Sequence, residues 1–179
     1  MFMTDAESYD LSLREDGCLM EQVTFSPVGV VRSPHKSLAG MPVQPPAAVG
    51  CAGEIHLLPE FSEGLLDIEG FSHLMVFYHL HKSAGPLLSA TPFLDTKPHG
   101  VFATRIPRRP NPLGFSVVRL LSREGAVLHI SNVDILDGTP VLDIKPYVPE
   151  FDAYPAASSG WFAGKLGDIS GKRSDERFL

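Results

Sequence analysis

HLMVFYHLH, His73 to His81, reads as a β-strand. Aromatic and β-branched residues favour a pleated chain, and alternate residues then share a face: here His73, Met75, Phe77, His79 and His81. Six further runs of this kind lie along the sequence: Val28–Arg32, Gly53–Leu58, Val101–Arg105, Phe115–Leu121, Val127–Ser131 and Val141–Ile144. One stretch carries a helical repeat instead. Pro59 sits where a first-turn proline belongs, and Leu58, Phe61, Leu65 and Ile68 recur at three- and four-residue intervals up to Gly70. Strands do not alternate regularly with helices, which argues against a doubly wound parallel sheet. The pattern predicts a mainly β protein: a small antiparallel β-barrel or sandwich with one short helix and long proline-rich loops.

The composition is that of one folded domain. The chain has 179 residues, 44% of them hydrophobic and 20% charged, enough to bury a core and outside the range of disordered, collagen-like or coiled-coil sequences. Sixteen glycines and sixteen prolines leave little room for long helices. No segment approaches the roughly eighteen uninterrupted apolar residues of a membrane span. Met1–Cys18 is acidic and lacks the layout of a signal peptide, and Cys18 and Cys51 read as free thiols, so a cytoplasmic location is expected. The chain divides into an acidic N-terminal extension (residues 1–23), a barrel domain (24–152) and a C-terminal tail (153–179) expected to dock loosely. Neither GxGxxG nor GxxxxGK[ST] occurs.

Charge is uneven. The net charge is −6, yet between Lys97 and Arg123 there are six bases (Lys97, Arg105, Arg108, Arg109, Arg119, Arg123) and no acid. Within that region RIPRRPNPLG, Arg105 to Gly114, is braced by three prolines. Such a loop holds Arg105, Arg108, Arg109 and Asn111 at low entropic cost, which suits a carboxylate or phosphate partner as well as it suits a stiff connector. Ser33–Gly50 is a second long excursion between strands, rich in proline. In DILDGTPVLDIKPY, Asp134 to Tyr147, Asp137-Gly138 marks a turn, and Asp143, Lys145 and Tyr147 then align on one strand face. They form either a polar site or a solvated face with an ordinary Asp–Lys pair. His79-x-His81 has the spacing of a metal chelate, but no acidic or cysteine ligand lies near it in sequence, so no metal is expected. No nucleophile elbow is present, and covalent catalysis is not indicated.

Taken in order, PVGVVRSPHKS (Pro27–Ser37), the Pro-x-Gln-Pro of Pro42–Pro45, GEIHLL (Gly53–Leu58), GFSHLMVFYHLH (Gly70–His81), GVFATRIPRRPNPLGFS (Gly100–Ser116) and DILDGTPVLDIKPYVP (Asp134–Pro149) resemble the TsaA-like family, which includes the TrmO tRNA methyltransferases. The resemblance covers roughly residues 24–152. It implies a small β-barrel that binds S-adenosylmethionine, as a homodimer, and transfers the methyl group to N6 of threonylcarbamoyladenosine beside the tRNA anticodon. It implies cofactor contacts from Pro42, Val43, Gln44, His81, Lys82, Arg105, Leu113, Asp134, Ile135, Leu136 and Asp137. Val43 stands where tRNA-modifying members carry arginine. Acceptor contacts are expected from Arg108, Arg109, Asn111 and Lys145, and any base that removes the N6 proton is expected at Asp143 or Tyr147. Methyl transfer from a sulfonium is driven mainly by in-line placement, which is consistent with the absence of a loud catalytic motif. The alternative acceptor is a small metabolite, and the alternative class is a non-enzymatic module that binds S-adenosylmethionine.

Overall fold

The computed structural model describes residues 23–165, 169 and 171–178. Most of the acidic extension, with Cys18, lies outside the described residues. In chain order the strands are β1 (Gly29–Arg32), β2 (Ala52–Leu57), β3 (His73–His79), two short pieces β4 (Ser89–Ala90) and β5 (His99–Gly100), then β6 (Leu113–Glu124), β7 (Val127–Ser131) and β8 (Pro140–Pro146). Six of them close a barrel in the order β1-β2-β7-β6-β3-β8, with every neighbour antiparallel. The expected fold class is therefore the observed one.

Period-2 alternation fills the barrel. From β3, Leu74, Val76 and Tyr78 point inward to meet Val31, Ile55, Val118, Leu128, Ile130 and Val141, all buried. His73, Met75, Phe77 and His79 stay outside, so the face singled out in sequence is the outer one. His81 lies beyond the strand, in a turn where its N–H bonds the His79 carbonyl. The β3–β8 register slips by one residue between Phe77 and Tyr78, which turns Val141 inward and leaves Asp143 and Lys145 outside.

Two local expectations are corrected. Val101–Arg105 is no strand: Val101–Ala103 is a 3₁₀ turn, because the Thr104 N–H and hydroxyl both bond the Val101 carbonyl and curl the chain. The helix after Pro59 is also 3₁₀, Pro59–Leu65, followed by a separate Ile68–Gly70 turn. Of its apolar residues only Leu65 is buried, and Asp67 in the left-handed region (φ 63°) separates the two pieces.

Alternating strand direction sends three connections, residues 33–51, 80–112 and 132–139, out of the same end of the barrel. The opposite end has the 3₁₀ segments after Pro59 and the tight β6–β7 turn at Gly125.

Candidate functional site

The three connections and the tail enclose a cavity of about 1020 Å³. Pro42, Val43 and Gln44 line it from the first loop, Arg105 from the second, Leu113 from the start of β6 and Asp134 from the third loop. Residues far apart in sequence are thereby brought together: Arg105 Nη1 donates to Gln44 Oε1 at 2.9 Å. His81, Lys82, Ile135 and Leu136 line a smaller pocket of about 80 Å³ that shares Tyr78, Leu80 and Asp134 with the large one. Burial and the adjacent Lys82 charge hold His81 below the usual histidine range. Asp137 lines neither space. Its carboxylate pairs with Lys36 at 2.9 Å and accepts the Ser33 N–H at 3.0 Å, which fastens the first loop to the third.

The other candidates stand further off. Arg109 lines the cavity, but its Nη1 donates to the Val101 and Thr104 carbonyls, bracing the turn that carries Arg105. Arg108 Nε donates to the Gly85 carbonyl. Asn111 is exposed and does not line the cavity. Asp143 and Lys145 form an exposed pair at 3.0 Å on the outer surface, and Tyr147 packs edge-on against His73; none of the three lines the cavity. Among the described residues no group of three or more His, Cys, Asp or Glu side chains gathers as a metal site.

Two features of the site are not legible in the sequence. The first is a chain of polar groups on the cavity floor that runs from the buried Tyr78 and Ser116 to the half-buried Asp134. Ser116 Oγ donates to Asp134 Oδ1 at 2.7 Å and lies 3.0 Å from Tyr78 Oη. The serine proton is committed to the carboxylate, so the phenol must donate to the serine. Burial pushes the Asp134 carboxyl up to about 6, although the Ser116 hydroxyl, the residue's own backbone N–H and the Arg105 charge all pull it down. Burial, reinforced by the Asp134 charge, pushes the Tyr78 phenol far above its usual range.

The second is the tail, which does not dock loosely. Ser174 exchanges backbone bonds with Gly40 and Met41, and Arg173 forms a β-bridge with Pro42. Phe178 is buried against Val101, Ile106 and Phe93. Trp161 stacks on His99 and Phe162, and its indole N–H bonds the Ala103 carbonyl at 2.7 Å. Lys165 and His99 both reach Asp95, whose carboxyl is held well below the usual range by these two partners. Trp161, Ser174 and Phe178 are thus walls of the cavity.

The chain is 48% identical over 157 residues to a probable S-adenosyl-L-methionine-binding protein of Pyrococcus abyssi, covering 88% of this chain and 85% of that one. It is 34% identical over 152 residues to the tRNA (adenine(37)-N6)-methyltransferase of Escherichia coli, covering 79% of this chain and 65% of that enzyme. The crystal structure of TrmO from Pseudomonas aeruginosa superposes with a TM-score of 0.67 at 40% identity, covering 79% of this chain and 63% of that one. Residues 30–153, which hold nearly all of the barrel and the three loops of the cavity, match the tRNA-methyltransferase O N-terminal domain, and the chain belongs to that family.

Proposed function

We propose that this protein is an S-adenosylmethionine-dependent methyltransferase acting on N6 of an adenine in tRNA, specifically on threonylcarbamoyladenosine beside the anticodon. The observation that carries the reading is the cavity at the loop end of the barrel. There Gln44, Arg105 and Asp134, expected from sequence to hold the cofactor, face one space of about 1020 Å³. That volume lies at the upper end for a small-molecule site, with room for a cofactor and part of an acceptor. The donor set also fits. Asp134 offers a carboxylate for ribose hydroxyls or a nearby positive charge, Arg105 a guanidinium for a carboxylate, and the prolines and Leu113 apolar walls. When bound, S-adenosylmethionine supplies a methyl group on an already activated sulfur. The chain then has to hold that group in line with the acceptor and keep water out, tasks that rigid, proline-braced loops perform at low entropic cost.

Arg108 and Arg109 keep guanidinium donors beyond those used on the Gly85, Val101 and Thr104 carbonyls, and with Asn111 they are assigned to the acceptor side. The domain division at residues 24–152 follows the same reading, and action on tRNA accords with a cytoplasmic location. Pairing of two copies is part of the proposal. Phe77 and Phe115, with rings 5.2 Å apart, and the exposed Leu113 lie on the outer face of β3 and β6, an apolar surface suited to a second chain. Light scattering should return twice the chain mass, and one chain mass at working concentration removes the pairing.

The test of function is methylation of tRNA with and without the threonylcarbamoyl group. Methyl incorporation only into the modified tRNA supports the reading. Saturable cofactor binding with no incorporation into either tRNA removes the tRNA reading and leaves a methyltransferase with a small-metabolite acceptor or a binding module.

A further inference from the structure

We propose that Asp134 accepts the proton released from the acceptor nitrogen, and that Ser116 and Tyr78 are positioning residues that aim and polarise its carboxylate. This rests on the methyltransferase reading above. The reaction needs such a group. The N6–CH3 bond forms with the nitrogen lone pair while the CH3–S bond breaks and its electrons stay on sulfur. The N6–H proton must then leave, and it goes to the Asp134 carboxylate.

The geometry selects Asp134 over its neighbours. Asp134 lines both the large and the small pocket, and Ser116 fixes one of its oxygens at 2.7 Å. Tyr78 is buried with its proton directed at Ser116, and its phenol is held far too basic to ionise near neutrality, so it cannot take the role itself. Asp143, with its carboxylate on Lys145, and Tyr147 line neither pocket.

Several groups surround Asp134, and their charges decide its state. Arg105 from the second loop favours the carboxylate, whereas burial opposes it, leaving the group near 6. Cys51 from the first loop is an uncharged thiol pushed up by burial and by Asp134 itself. His81, held below its usual range, is neutral at pH 7, and Lys82 beside it adds one positive charge along the small pocket. A carboxyl near 6 is ionised at pH 7 and still basic enough to capture a proton efficiently.

The experiment compares wild type with Asp134→Asn, Ser116→Ala and Tyr78→Phe. It uses three readouts: calorimetric affinity for S-adenosylmethionine, single-turnover methylation of modified tRNA across pH, and NMR titration of the Asp134 carboxyl in the cofactor-free protein. Asp134→Asn should methylate about 10²–10⁴-fold more slowly even at saturating cofactor, a loss in the single-turnover rate beyond whatever affinity it gives up as a cofactor contact. Ser116→Ala removes a hydrogen bond from the ionised form, so the carboxyl titrates higher and the acid limb of the rate profile moves up with it. Tyr78→Phe should shift both in the same direction by less. Asp134→Asn methylating within about tenfold of wild type, or an acid limb that does not move in Ser116→Ala, overturns the proposal. So does loss of cofactor affinity alone in Asp134→Asn, which would make Asp134 a cofactor ligand only. Absence of methylation by wild type removes the parent reading and this inference together. Wild-type methylation with an indifferent Asp134→Asn removes this inference alone.

Discussion

Gly114 and Tyr78 face each other across β3 and β6, and a Cβ on Gly114 would sit 2.0 Å from the Tyr78 ring. The missing side chain is the space in which the phenol lies on its way to Ser116. Gly114→Ala must push a buried aromatic ring aside. We expect a loss of about 2–3 kcal/mol in urea unfolding, the usual scale of overpacking. Adding Tyr78→Ala should recover part of that loss, so the two changes combine non-additively. Additive losses would place the strain elsewhere.

Asp134 should set a pH dependence of stability. Its carboxyl is raised from 3.8 to about 6 on folding, so the folded state holds the proton more tightly than the unfolded chain. The stability that this group contributes is therefore highest below about pH 4 and falls as pH rises through 6, by at most about 3 kcal/mol. Asp134→Asn escapes that penalty. Its advantage over wild type in chemical denaturation should be absent at low pH and complete above pH 7, alongside its loss of turnover. A variant less stable than wild type at pH 7 contradicts the shift.

Phe178→Ala should loosen the tail from the cavity. The ring is buried against Val101, Ile106 and Phe93 and lines both pockets. We expect earlier proteolytic cleavage within residues 153–178 and a cofactor affinity weaker by about tenfold, or about 1.4 kcal/mol. Unchanged affinity would make the tail a cover with no part in the site.

Arg109→Ala should weaken cofactor and acceptor together. Its guanidinium ties down the carbonyls of Val101 and Thr104, the turn that delivers Arg105. A residue reserved for the acceptor would spare cofactor affinity, and binding titrations of both ligands separate the two cases.

Asp143→Asn and Lys145→Ala should change little. The pair is exposed on the outer face, where such bridges contribute about 0–1 kcal/mol, and neither residue reaches the cavity. Turnover within about twofold of wild type is expected; a loss of tenfold or more from Asp143→Asn would return the base to that strand.

Strand alternation makes most of the barrel legible in the amino-acid sequence. Val127–Ser131 is a strand over the same residues, and His73–His81 errs only at its last two. Val101–Arg105 misleads because Val101 serves a side cluster with Phe178 while Phe102 stays exposed, and Thr104 bends the chain through a bond no periodicity reveals. The site loops are legible as motifs: Gln44 and Arg105 bond across 61 positions of sequence. Ser116 and Tyr78 are not, because a serine and a tyrosine inside strands look like ordinary strand residues until β3 and β6 pair and the loop after β7 folds back over them. The outer face of β3 draws attention with its histidines while the inner face carries Tyr78, the residue that reaches Asp134 through Ser116. Asp143 and Lys145 are legible as a pair, and they remain one in the folded chain.

The central claim is that the loop end of the barrel is the cofactor seat, and titration of wild type and Arg105→Ala with S-adenosylmethionine tests it most directly. Wild type should show saturable binding near one molecule per chain, and Arg105→Ala, which also frees Gln44, should bind about tenfold or more weakly with an unchanged far-ultraviolet circular dichroism spectrum. Absence of saturable binding by wild type, or equal affinity in the two proteins, would contradict the account.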